Sequence, residues 1–148
     1  MRIPPPIIFV GSILLGVVLG VVAPTSSEWL SASLARLVGI PIVVISFILV
    51  GLTFREFREV GTGFDSQDTV TALNTGGPFR FTRNPIYLSG ALLQLGLGIW
   101  LRNTWIALLL LPTILLINVL SILPEEGFLE ERFGATYSEY RRRVRRWI

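Results

Sequence analysis

Residues 84–126 read NPIYLSGALLQLGLGIWLRNTWIALLLLPTILLINVLSILPEE, and the charge pattern of this stretch sets the architecture. Between Asn84 and Pro124 the only charge is Arg102. A helix needs roughly 20 apolar residues to cross about 30 Å of hydrocarbon. The stretch therefore reads as two spans, about 85–101 and 104–123, joined by little more than Arg102-Asn103. A joint that short makes a tight antiparallel hairpin. It brings the start of the first span beside the end of the second, so Arg80, Arg83, Asn84 and Tyr87 should face Glu125 and Glu126 at one membrane depth.

Working outward, residues 3–27 and 37–54 are also free of charge and give two more spans, about 6–23 and 37–54. The composition agrees: 51% of the 148 residues are hydrophobic and only 16% charged, against about 25% charged in soluble domains. The mean hydropathy is +0.65. The expected fold is an all-α integral membrane protein, one domain over 1–148. It has four transmembrane helices, a cytoplasmic loop over 55–84 and a cytoplasmic helical tail over 125–148. Pro4-Pro5-Pro6 ahead of the first apolar run, with no clear small-residue cleavage site after it, favours a retained span over a signal peptide. Gly16 and Gly20 form a small-xxx-small pair, read as close packing inside one molecule. Pro112 should kink the last span, and Gly134 should break the tail.

Arginine sets the orientation. All 13 basic residues are Arg; 11 of them lie on the side of the termini and the 55–84 loop, while Arg36 and Arg102 lie on the other. Positive-inside places both termini in the cytoplasm. Six Arg fall in the last 17 residues. Beside a membrane such a tail faces anionic headgroups, and an otherwise apolar chain speaks against a nucleic-acid partner.

Absences narrow the chemistry. With no Cys, no His and no Lys, the chain has no thiolate nucleophile, no imidazole base, no amine for a Schiff base and no ordinary metal set. No metal is expected. An enzyme of this composition would leave the difficult step to a cofactor. Mid-span Gln94 and Asn118 could serve a site or bond between helices; the bland reading is preferred for Asn118 and Gln94 is balanced. Arg80 and Arg83 could be topological anchors, Pro85 an ordinary first helical residue, and Glu125 and Glu126 favourable charges at a helix start.

The combination nevertheless resembles a known family. Gly77-Pro78-Phe79-Arg80-Phe81-Thr82-Arg83-Asn84-Pro85-Ile86-Tyr87, then Glu125-Glu126-Gly127-Phe128-Leu129, then Phe133-Gly134-Ala135-Thr136-Tyr137-Ser138-Glu139-Tyr140 and Val144-Arg145-Arg146-Trp147-Ile148 resemble the isoprenylcysteine carboxyl methyltransferase / phospholipid methyltransferase superfamily in order and spacing. The match covers about half the chain, 76–148. It implies a membrane methyltransferase using S-adenosylmethionine on a lipophilic small-molecule or lipidated substrate, drawn from the inner leaflet of what would be a prokaryotic cytoplasmic membrane. Arg83, Asn84 and Tyr87 would be catalytic. Gly77, Arg83, Asn84, Pro85, Tyr87, Glu125, Glu126, Tyr137 and Tyr140 would bind cofactor, the two tyrosines closing the pocket from below. Gly76 and Gly77 would let backbone approach the ligand.

Asn84 stands where eukaryotic prenylcysteine enzymes carry His, and the chain has fewer spans than they do. The methyl acceptor therefore stays open between carboxylate oxygen, amine nitrogen and another atom. An ionised carboxylate acceptor would need no general base. Two rival readings are a non-catalytic lipid-binding membrane protein and a nicotinamide-dependent membrane reductase. Glu126 and Arg83 lie near the water interface, where an unpaired charge can be solvated, so their loss is expected to weaken ligand binding more than the fold.

Overall fold

The computed structural model describes residues 4–25, 30–60 and 72–148. Arg2 and most of the loop proper, 61–71, lie outside the described residues. Among those described the chain is all helical. α1 spans Pro5–Val22 and α2 spans Ala32–Val60. A 3₁₀ turn, Gly77–Arg80, leads to α3, Pro85–Trp100. α4 (Thr104–Leu108), α5 (Leu110–Ile117), a π turn (Asn118–Ile122) and α6 (Leu123–Phe133) form one bent run, and α7 (Ala135–Arg143) follows.

Proline punctuates these elements in two ways. Pro5 and Pro85 occupy first turns, where the missing N–H would have no helical partner. Pro112 and Pro124 sit inside the last run, where each removes a bond and crowds the carbonyl four residues earlier. The helix yields just ahead of each: it breaks at Leu109 and widens into the π turn over 118–122.

Three runs are long and apolar enough to cross a bilayer: Pro5–Val22, Ala32–Glu59 and Thr104–Phe133. α3, at 16 residues, is about 24 Å long at 1.5 Å per residue. It is the internal helix, burying Ser89, Ala91, Gln94, Gly96 and Gly98. By contrast α1, α2 and α5 turn apolar side chains outward, with Val21 at 78%, Leu37 at 71% and Leu111 at 68% exposure. A water-soluble fold does not carry a belt of that extent.

Glycine permits the close packing. A Cβ on Gly39 would lie 2.6 Å from the backbone nitrogen of Trp100, and one on Gly16 would lie 2.8 Å from the Cα of Ile106. The Gly16–Gly20 pair thus seats α1 against α4 and the Arg102-Asn103 joint, as intramolecular packing requires. Asn103 closes this joint. Its Oδ1 accepts from the Ile106 amide (3.1 Å) and its Nδ2 donates to the Gly16 carbonyl (3.2 Å). Arg102 takes φ 54°, which makes the reversal tight. Gln94 is a bundle residue: its amide nitrogen donates to Ser12 Oγ (2.9 Å) and to the Ile106 carbonyl (3.1 Å).

One boundary differs from the sequence expectation. Residues 55–60 belong to α2 rather than to the loop, because Arg55-Glu-Phe-Arg-Glu-Val60 keeps good helix formers and an Arg55–Glu59 ion pair of 2.8 Å. The tail continues the last run helically, as expected, as α6 to Phe133. The tail does break at Gly134, which takes φ +49°.

Candidate active site

The site grows from the 3₁₀ turn and the Asn-Pro that follows it. Gly77 takes φ +47°, and its missing Cβ leaves room for Glu56. The turn buries Phe79 edge-on against Phe57, with ring centroids 5.6 Å apart. Tyr140 in α7 donates its hydroxyl proton to the Phe79 carbonyl at 2.7 Å. Asn84 occupies the N-cap position of α3 but does not cap it; its Nδ2 donates instead to the Arg146 carbonyl at 2.9 Å.

The hairpin brings the predicted partners together. Tyr87 donates its hydroxyl proton to Glu125 at 2.8 Å, and Arg83 Nη1 lies 2.9 Å from Glu126 Oε1. Arg83 also donates to the Tyr137 hydroxyl at 3.3 Å. Arg80 is exposed and lines a separate outer groove with Gly77 and Glu56.

Glu126 corrects one expectation. It is 7% exposed, and both its oxygens are taken. Arg146 donates through Nε to Oε1 (3.0 Å) and through Nη2 to Oε2 (2.7 Å). The carboxylate is thus buried between two guanidiniums, and water cannot replace a lost partner. Glu126 is as much a part of the fold as of the site. The tail Arg are likewise not one surface. Arg145 is exposed while Arg146 turns inward, because Val144 leaves α7 extended (φ −119°, ψ 129°) and alternates its neighbours. Asn118 also finds its partner in the tail, accepting from Arg146 Nη1 at 3.2 Å.

A cavity of about 90 Å³ lies under this network, walled by Phe57, Phe79, Leu129, Tyr137 and Tyr140, with Asn74, Arg83, Asn84, Glu125 and Glu126 as polar lining. Two donors in that lining, Arg83 Nε and Asn74 Nδ2, are buried without a hydrogen-bond partner among the described residues. Buried polar groups rarely stay unpaired; Gln94 Oε1, inside the helix bundle, is also without a partner among the described residues. A second pocket of about 50 Å³ shares Arg83, Asn84 and Glu125 with the first and adds Pro85, Ile86 and Tyr87. Ile86 and Tyr87 in turn line an apolar groove of about 250 Å³ between α1, α2 and α3. The second pocket thus shares residues with the cavity on one side and with the groove on the other. Gly77 stands away from all three, against Glu56.

Burial pushes the Tyr137 hydroxyl above its ordinary range; the Glu126 charge adds to this and the Arg83 bond opposes it. Burial raises Tyr140 further. Both stay protonated at neutral pH. Because Tyr137 accepts from Arg83, its own proton is free to be donated. Among the described residues no group of three or more His, Cys, Asp and Glu could hold a metal.

Sequence reasoning missed Asn74, Phe57 and the inward turn of Arg146. Asn74 could have been suspected as the polar residue two before Gly76, whose amide donates to its Oδ1 at 3.2 Å. Phe57 looked like loop and is in α2.

A protein of Haemophilus influenzae described as uncharacterized is 41% identical over 63 residues, which is all of that protein and 43% of this chain. No solved structure matches. Residues 34–136 match the phospholipid methyltransferase family. That match takes in α2 from residue 34 on, the 3₁₀ turn, Arg83 through Tyr87, the hairpin and Glu125-Glu126, well over half of the chain, and it implies methyltransferase activity; the chain belongs to the phospholipid methyltransferase family.

Proposed function

We propose that this chain is an integral membrane S-adenosylmethionine-dependent methyltransferase that takes a lipophilic acceptor from the inner leaflet. One observation carries the reading. Two buried donors without described partners, on Arg83 and Asn74, share a cavity with Glu125 and Glu126, and a second pocket shares residues both with that cavity and with an apolar groove between α1, α2 and α3. The donor set suits a zwitterionic nucleoside. Arg83, Asn74 and Tyr137 can donate to a carboxylate or ring nitrogens, Glu125 can accept from an ammonium or ribose hydroxyls, and Phe57 and Phe79 offer faces for a base. When bound, the cofactor supplies an electrophilic methyl on a cationic sulfur.

The residues supply the rest. Arg83, Asn84 and Tyr87 all line the second pocket, and they orient the acceptor there. The surrounding apolar side chains exclude water. Positioning of this kind can supply much of a displacement's acceleration. The pocket holds no His, Lys or Cys, and its carboxylate, Glu125, already accepts from Tyr87, which suits an acceptor that arrives ionised. A carboxylate-bearing lipid is the simplest such acceptor.

A cavity of about 90 Å³ is well below the 300–1,000 Å³ typical of ligand pockets. Loading therefore requires part of the wall to move. The wall includes Ala72–Asn74, Phe79 and α7, which is joined to α6 through Gly134. Binding of S-adenosylhomocysteine should slow hydrogen exchange in 76–90 and 125–140 together. Protection of one segment alone would contradict a shared site. Protection by NADPH and not by S-adenosylhomocysteine would favour a reductase.

The orientation follows the arginine split: four spans, with both termini and the site in the cytoplasm. Reporter fusions at Met1, Ser31, Gln67 and Ile148 should read in, out, in, in. An external C-terminus would put the site on the wrong face for a cytoplasmic cofactor.

A further inference from the structure

The extended segment after α7 is tied to the site through Arg145 and Arg146. The Arg83 amide donates to the Arg145 carbonyl at 3.0 Å. Thr82 Oγ1 (3.2 Å) and Asn84 Nδ2 (2.9 Å) both donate to the Arg146 carbonyl. Trp147 packs against the Phe9, Ala91, Ile117 and Ile122 cluster. The segment thus runs back along residues 82–84 and fixes the backbone from which Arg83 projects.

The side chain of Arg146 adds something the backbone contacts do not. Its Nε and Nη2 fork onto the two oxygens of Glu126, and Nη1 bonds Asn118. Arg83 must then approach Glu126 from the side. It shares Oε1 through Nη1 alone, and its Nε is left without a described partner beside the cavity. A carboxylate and a guanidinium free to choose would pair with two parallel bonds. Here the second fork is already occupied. Without Arg146, Glu126 can turn and take both donors of Arg83, and the free Nε–H disappears. The Nε–H of a guanidinium is a charged donor, and an anionic ligand group suits it best.

We propose that Arg146 is a positioning residue: its bidentate grip on Glu126 holds Arg83 in a one-bond contact and so keeps the Arg83 Nε–H available to ligand. The consequence for cofactor rests on the methyltransferase reading above; the consequence for Arg83 itself does not. The ligand group it would meet is an anion, such as a carboxylate.

The test uses the full chain in lipid nanodiscs, labelled with ¹⁵N-arginine. The Arg83 Nε–H resonance is identified by its loss in Arg83→Lys. Arg146→Met and Arg146→Lys are compared with wild type for that resonance, for affinity toward S-adenosylhomocysteine and for melting temperature. In both variants the Arg83 Nε–H resonance should move to an ion-paired position and its exchange with water should slow. Affinity should fall about tenfold or more, the equivalent of one charge-assisted hydrogen bond. Lys restores charge but not the fork, so it should not rescue either signal. If Arg146→Met does not fold, Arg146→Lys decides the question alone. An unmoved resonance in a folded variant, or full rescue by Lys, overturns the proposal. If the resonance moves as expected while wild type binds no S-adenosylhomocysteine, the positioning role stands and the cofactor reading fails.

Discussion

Glu126→Gln is expected to lower the melting temperature by roughly 6–12 °C, whether or not ligand is present. Gln keeps the size but removes the one charge shared by Arg83 and Arg146, whose contacts are 2.9 and 2.7 Å. The side chain is 9% exposed, so water does not take its place. Breaking a buried pair by removing one partner costs about 3–5 kcal/mol. The neutral amide still accepts one bond, so the lower end, about 3 kcal/mol, is the better figure. For a chain of this size each kcal/mol moves the midpoint by about 2–4 °C. Glu125→Gln is the control. Glu125 is exposed and bonded to Tyr87, and its replacement should shift stability by no more than about 0.5 kcal/mol. Thermal unfolding of both variants in the same lipid decides the matter. Equal midpoints for Glu126→Gln and wild type would mean the two guanidiniums do not depend on this carboxylate.

Arg83→Lys should lower turnover by at least about a hundredfold, the loss expected when one preorganised donor at a reacting centre is removed. Arg83 serves three directions at once: Glu126, the Tyr137 hydroxyl and the unpartnered Nε beside the cavity. An ammonium is a point charge on a flexible stem and cannot hold a planar fork. It can keep the Glu126 pair, so the fold should survive with only a small fall in midpoint. The informative pair of measurements is single-turnover methyl transfer and the apo melting curve. A variant with normal turnover would make Arg83 an anchor for topology and would remove it from the site. A variant that fails to fold would instead assign it to the Glu126 cluster alone.

The hairpin was legible because its evidence is local. A bilayer demands an unbroken run of apolar residues, and two such runs with only Arg102-Asn103 between them have one compact arrangement. That arrangement puts Arg83 and Tyr87 opposite Glu125 and Glu126, and the 2.8 and 2.9 Å contacts agree. The interruption of the helix at Leu109, ahead of Pro112, and the break at Gly134 were legible for the same reason: ring closure on nitrogen and the freedom of a missing Cβ act within one turn. The α2 boundary was misread because charge was taken as the end of a helix. Arg55, Glu56 and Glu59 are good helix formers once the chain leaves hydrocarbon.

From the sequence alone came the helical class, the membrane habit, the family resemblance and the pairing across the hairpin, since each follows from spacing along the chain. Which charges are buried was decided by the tertiary structure. Arg145 and Arg146 are adjacent and chemically identical, yet one is exposed and the other closes on Glu126. Their difference arises because Val144 leaves the helix extended and the segment returns to residues 82–84, some 60 positions away in sequence. Contacts at that separation depend on how the helices pack, and helix packing here depends on where glycines let backbones meet. The same packing left Arg83 Nε and Asn74 Nδ2 facing no described partner. No periodicity or composition reports an unmade hydrogen bond; it becomes visible only when every neighbouring atom has been placed.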